Sequence, residues 1–203
     1  MGQYYKAVFY DHKVFMNAYD HTGTPTNDGL NGLKLMEHSY IGNPLLNAVE
    51  NRLHELGGAR IVWAGEYADP EPHTVISESD EGNNLYDLIQ GRLQYKFDTG
   101  YQKRNGRLRY LINYDKKEDT DLRKCRKDND GLIIHPLPLL TCEGNGEGGG
   151  AYHGDETYVG RWTRDLKNFG LPPMIGIDTK KPKRRVNQDW KDFVEIIPDF
   201  FEA

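Results

Sequence analysis

One segment constrains the fold of this chain more than any other. Residues 44–56 carry Leu45, Leu46, Val49, Leu53 and Leu56 at helical spacing, with Asn47, Glu50, Asn51 and His54 on the remaining faces. Asn43 suits the N-cap, and Pro44 suits the first helical position, where a missing N–H is no loss. Gly57-Gly58 can take the left-handed geometry that ends a helix. The apolar run Arg60-Ile61-Val62-Trp63-Ala64 follows at once, too short for a helix and rich in strand formers. A helix that stops and feeds straight into a buried strand must lay its apolar stripe on a sheet.

The rest of the chain reads mostly as strands. Residues 3–9 and 13–18 are rich in Tyr, Val and Phe around a polar break at 10–12, which predicts an opening β-hairpin. Residues 93–97 and 108–114 alternate as strands, with Asn105-Gly106 between them as a hairpin signal. A shorter helix is predicted over about residues 84–90, with Leu85, Leu88 and Ile89 inward. Residues 120–130 are strongly charged and read as a loop or short helix. Pro136 and Pro138 argue that the second half of 131–140 is an edge or extended segment. Late strands are expected over 157–162 and 193–197. The fold class is therefore α+β, with a largely antiparallel sheet. The 203 residues suit a single domain, with 170–203 as an irregular C-terminal extension.

No apolar run approaches the roughly 20 residues that span a bilayer, and the first residues lack a signal peptide's apolar region. Two cysteines, Cys125 and Cys142, make no disulfide framework, so both are expected as reduced thiols in a cytoplasmic protein. The net charge of −5 hides an asymmetry, since the acidic excess lies in the first hundred residues. Basic residues gather over 103–127 and in the run 180–185, where phosphate contact is one reading and a solvated surface the other.

Residues 144–154 contain six glycines, and Gly144, Gly146 and Gly149 match G-x-G-x-x-G. The context of a dinucleotide fingerprint is absent: prolines stand before the run, no amphipathic helix follows it, and no lysine serves a phosphate loop. A close-approach loop is what remains, with Gly146, Gly149 and Tyr152 as candidate ligand contacts. His135, His153 and Asp155 flank the loop, and with His38 they are the candidate acid–base groups, since imidazole beside carboxylate is the minimal pair for proton transfer. Glu37, Ser39 and Tyr40 precede the firm helix, and Glu66 and Tyr67 follow the buried strand; these complete the candidate ligand-binding set. The acids and histidine of 66–73 match no metal spacing, and neither a metal nor a cofactor is expected.

Several strings occur together: MGQYYK at the start, GLKLMEHSY at 32–40, VWAGEYADPE at 62–71, NLYDL at 84–88, HPLPLLT at 135–141 and GNGEGGGAYHG at 144–154. Together they resemble a family of bacterial and phage proteins to which no activity is assigned. The resemblance covers the chain to about residue 165 and implies a cytoplasmic protein, with a part in phage–host conflict as an association. Three functional readings stand. The first is a binding protein with a polar pocket for a small molecule such as a nucleotide, or for a host protein. The second is a hydrolase or transferase using histidine and carboxylate. The third is a nucleic-acid or protein interaction module built on the basic segments. No membrane partner is expected.

Overall fold

The computed structural model describes residues 4–17, 33–34, 39–71, 84–89, 93–98, 103, 105–125, 127, 130–143, 162–164, 170–182 and 191–192. In chain order the strands are β1 (Tyr4–Phe9), β2 (Val14–Met16), β3 (Leu33–Lys34), β4 (Ala59–Gly65), β5 (Lys96–Phe97), β6 (Tyr110–Asn113), β7 (Glu118–Asp121), β8 (Cys142–Glu143), β9 (Met174–Asp178) and β10 (Lys191–Asp192). The helices are α1 (Pro44–Glu55), α2 (Leu85–Leu88) and α3 (Pro136–Thr141), with a 3₁₀ turn at Leu122–Lys124. The sheet runs β10-β7-β6-β9-β4-β1-β2-β5, with β3 on β1 and β8 on β4. Most pairings are antiparallel, so the protein is α+β; β10–β7, β2–β5 and β4–β8 are parallel.

The opening hairpin forms as expected, with Ala7 opposite Met16 and Phe9 opposite Val14. Helix α1 also forms as expected. Asn43 Oδ1 accepts the Leu45 N–H at 2.9 Å, and Gly57 and Gly58 follow the helix at φ +67° and +116°. What the apolar stripe does not reveal is that Asn47, Glu50 and Asn51 are buried too. Each makes a hydrogen bond within the chain: Asn47 donates to the Gly42 carbonyl, Asn51 to the Lys103 carbonyl, and Glu50 accepts from His135.

Strand alternation gives the sheet two occupied faces. Tyr5, Ala7, Phe9, Ile61 and Trp63 join α1, α3, Ile175, Ile177 and Trp162 in the main core. Val8, Phe15, Val62 and Ala64 face the other way, onto Leu85, Tyr86 and Ile89 of the α2 segment.

Four expectations give way. Residues 93–97 and 108–114 do not pair across Asn105-Gly106. β5 joins the far edge at β2, while β6 lies between β7 and β9. A turn does form at Asn105, whose carbonyl accepts the Leu108 N–H at 3.0 Å, but the hairpin is β6–β7, with Lys117 at φ 57° in its turn. The charged stretch read as loop or helix thus begins in a strand, and all four residues of β7, Glu-Asp-Thr-Asp, are buried. The three acids tolerate burial because cations and donors meet them: Asp121 forks with Arg109, Lys181 reaches Asp119 at 3.5 Å, and Trp162 Nε1 donates to Glu118.

Residues 136–141 form α3 rather than an extended edge. Pro136 and Pro138 both lie in the first turn, where backbone N–H groups have no intrahelical partner to lose. Finally, the segment expected as an irregular extension supplies β9, an inner strand between β6 and β4. The late strands expected over 157–162 and 193–197 lie outside the described residues, except for Trp162, which stands in a turn.

Strand β9 also contains a steric requirement. A Cβ at Gly176 would stand 2.7 Å from the Tyr114 side chain. Gly176→Ala is expected to destabilise the protein by about 1–3 kcal/mol in urea unfolding, through overpacking. Adding Tyr114→Ala should recover most of that loss. Equal losses in both backgrounds would mean that the ring contact is not the cause.

Candidate functional site

Strand β8 runs parallel to β4, with Cys142 beside Trp63 and Glu143 beside Ala64. That register turns Glu143 onto the second face of the sheet, at the end where β4 finishes and β1 begins. Arg164 meets it there. Its Nε donates to Glu143 Oε1 at 2.6 Å and its Nη2 to Glu143 Oε2 at 3.0 Å. The other side of the same guanidinium takes Glu71: Nη1 donates to Oε2 at 3.0 Å, and Nη2 contacts Oε1. The three side chains are 2%, 4% and 0% exposed for Arg164, Glu143 and Glu71. Bidentate geometry on both sides is what a planar guanidinium provides and an ammonium cannot.

Burial pushes the Glu143 carboxyl above its ordinary range, with Arg164 pulling the other way. Burial alone would lower Arg164, but the carboxylates of Glu143 and Glu71 outweigh it and hold the guanidinium's pKa above normal. Tyr10 places its ring 5.5 Å from the guanidinium carbon, and its phenol is raised first by burial and then by Glu71. Nearby Tyr95 is pushed up to about 12, again chiefly by burial.

Lys6 stands in the same row across the sheet, since it pairs with Ala64 and Ala64 pairs with Glu143. It is 1% exposed. Its Nζ donates to the Tyr86 carbonyl at 3.0 Å and lies 3.6 Å from the centre of the Tyr86 ring. Burial lowers the ammonium to about 8, against the opposing pull of Asp87 and Glu66. Tyr86 is pushed up to about 12, mainly by burial, so its phenol stays neutral. Glu66 ties this corner together: its N–H donates to the Tyr4 carbonyl, its carboxylate accepts the Tyr4 N–H, and its carbonyl accepts from Asn84.

The clamp sits at the root of the glycine-rich segment. That segment begins after Glu143, the chain returns at Trp162, whose N–H donates to the Leu140 carbonyl at 2.6 Å, and Arg164 closes back on Glu143. Glu71 lies on the chain that leaves β4, and Asn17 follows β2. The Arg164 clamp on Glu71 and Glu143 and the Lys6 corner with Tyr86 and Glu66 are two buried polar clusters on the second face of the sheet.

The residues singled out from the sequence fall into three groups. Glu66 belongs to this corner, and Tyr67 is exposed beside it. Ser39 and His135 come together elsewhere, under α1 on the opposite face: the His135 N–H donates to the Ser39 carbonyl, and Tyr40 bridges to Ile134. Glu37, His38, Gly146, Gly149, Tyr152, His153 and Asp155 lie outside the described residues.

The acid–base role expected of His135 meets a geometric obstacle. Its Nδ1 accepts the Leu137 N–H at 3.1 Å as the N-cap of α3, and this fixes the ring proton on Nε2, which faces Glu50 Oε1 at 2.9 Å. Both nitrogens are engaged in a fully buried position, which leaves neither to take a substrate proton. The basic segments are likewise drawn inward in part, with Arg109 on Asp121 and Lys181 on Asp119. Cys125 is pushed up to about 12, by burial first, and is a thiol rather than a nucleophilic thiolate. Among the described residues, no group of three or more His, Cys, Asp or Glu side chains is arranged to hold a metal ion, and no helix is long and apolar enough to cross a membrane.

Arg164 and Lys6 were missed by sequence reasoning, and Glu71 was noted only among the acids of 66–73. For Lys6 a signal existed, a lysine alternating with Tyr4 and Val8 on a strand otherwise made of Tyr, Ala, Val and Phe. Comparison of the chain with protein-family models, with curated proteins and with solved structures gave no match.

Proposed function

We propose that this chain is a bacterial or phage cytoplasmic binding protein that holds a small molecule at the end of the sheet where β4 and β8 finish and β1 begins. The observation that carries this reading is the fully buried Arg164 clamp on Glu143 and Glu71. It fastens Glu143, just before the glycine-rich segment, to the chain after β4, and so sets a fixed polar floor. Pockets of this kind owe specificity to a few placed polar groups on a rigid base. Carboxylates outnumber cations here, so the floor favours neutral or cationic groups over phosphate. A nucleoside fits that chemistry better than a nucleoside triphosphate.

A thermal-shift panel of nucleosides, nucleotides and small amines tests the proposal. A ligand at about a hundredfold its Kd adds about 2.7 kcal/mol. For a chain of this size that raises Tm by roughly 5–10 °C. Stabilisation by uncharged or cationic members, weakened in Glu66→Gln, is the expected result. A flat panel sinks the small-molecule reading.

A further inference from the structure

We propose that Asn105 is a site of spontaneous deamidation: the Gly106 amide nitrogen closes on the Asn105 side chain to a succinimide, and water opens that ring to isoaspartate and aspartate. Asparagine is among the thermolabile residues. Ring closure needs the nitrogen of the next residue to reach the side-chain carbonyl carbon, Cγ, and a Cβ on that next residue crowds the approach. Among the described residues, Asn105 is the one asparagine followed by glycine. Asn43 precedes a proline, which has no N–H to give up, and Asn113 is fully buried. Asn31-Gly32 and Asn145-Gly146 share the dipeptide but lie outside the described residues.

The turn over 105–108 sets up the reaction. Asn105 Oδ1 accepts the Arg107 N–H at 3.2 Å, so the side chain is folded back along the Gly106 peptide and carries Cγ toward the Gly106 nitrogen. The Asn105 backbone carbonyl accepts the Leu108 N–H at 3.0 Å and holds the turn closed. Gly106 and Arg107 are exposed, which admits hydroxide and water. Among the described residues, no hydrogen bond holds the Gly106 N–H. Base removes that proton, and the nitrogen adds to Cγ as the C=O electron pair moves to Oδ1, where the Arg107 N–H steadies the new charge. Collapse expels Nδ2, which takes a proton from solvent and leaves as ammonia. Water then adds to either carbonyl of the ring. Breaking the bond from nitrogen to Cγ gives aspartate, and breaking the bond from nitrogen to the backbone carbonyl carbon gives isoaspartate. Overall, an amide and water give an acid and ammonia, with nothing oxidised or reduced. A negative charge then stands among the exposed cations Lys103 and Arg107 of the basic stretch over 103–127. Isoaspartate also adds a carbon to the main chain of a turn that leads straight into Leu108, which is buried.

The test is incubation of the native protein at mildly alkaline pH over days, read by peptide mass spectrometry with fragmentation that tells isoaspartate from aspartate. Asn105 should convert well ahead of Asn43, Asn84 and Asn113, to a mixture containing both products, at a rate that rises with pH. Gly106→Ala should slow the conversion about tenfold or more, by crowding the nitrogen. That variant should keep its fold, since no atom lies within 4 Å of a Cβ added at Gly106 and its φ is not positive. Conversion to aspartate alone, or at the same rate in Gly106→Ala, would mean direct hydrolysis of the amide and overturns the proposal. Asn105 that stays intact in the native protein but converts in urea overturns it as well, because the turn would then be protecting the site.

Discussion

Arg164→Met should lower stability by about 3–5 kcal/mol, because it leaves two buried carboxylates facing each other without their cation. In a chain of this length the matching fall in Tm is roughly 10 °C or more. The size of the effect comes from what remains rather than from what is removed. An intact buried ion pair contributes little net stability, since Coulomb attraction mostly offsets desolvation, whereas a stranded buried carboxylate has no such offset. The triple variant Arg164→Met, Glu71→Gln, Glu143→Gln should therefore be markedly more stable than Arg164→Met alone. Chemical unfolding of the parent protein and these two variants measures this. A single-variant loss below about 1 kcal/mol would mean that water reaches the clamp. The pocket proposal adds a further expectation: the triple variant, though folded, should lose ligand-induced stabilisation, because its floor no longer fixes the glycine-rich segment to the turn after β4.

The second large effect is expected at His135. His135→Ala removes the acceptor for the Leu137 N–H and takes the imidazole from a Glu50 side chain that is 1% exposed. Loss of a helix cap is worth about 1 kcal/mol, and breaking a buried carboxylate interaction is worth more, for a combined loss of about 3–4 kcal/mol. His135→Asn should restore only the cap. Glu50→Gln should be mild, about 1 kcal/mol, since its amide oxygen still accepts from Nε2. If Glu50→Gln proved as damaging as His135→Ala, the charge on Glu50 rather than its hydrogen bond would be the stabilising element. Because both ring nitrogens are committed, none of these variants is expected to change ligand binding at the other face by more than their effect on folding.

These two clusters differ in how visible they are in the sequence. His135 attracted attention as a histidine beside the glycine-rich segment, and its true role is set by Pro136 at the first position of α3, which makes residue 135 a cap. Glu50 looked like a solvent-facing residue of an amphipathic helix. Nothing local reports that the strip of chain at 133–135 crosses that face and buries it. Arg164 and Glu71 are 93 positions apart. Their pairing depends on β8 lying parallel to β4, and a two-residue parallel strand leaves no periodic signature.

The strands show the same division. The hairpin of β1 and β2 was legible because its partners are adjacent and its turn is polar. The β6–β7 hairpin was not, because β7 is Glu-Asp-Thr-Asp and its turn has a lysine rather than a glycine at positive φ. Propensity argued against a strand there, and tertiary partners overrode it. Likewise β9 follows Leu-Pro-Pro in a segment without alternation, and only its neighbours β4 and β6 make it an inner strand.

The sequence by itself determined the elements whose signals are local: the capped helix α1 with its glycine stop, the strand after it, the opening hairpin, the short helix α2, and hence the α+β class. Caps, helical spacing and polar turns act within a few residues, so they can be read in one dimension. The tertiary structure decided what depends on distant partners: the strand order, the burial of α1's polar side, the clamp of Arg164 on Glu71 and Glu143, and the seat of Lys6 against Tyr86. A charge can be buried only where its counter-charges arrive, and their arrival is a property of the whole fold.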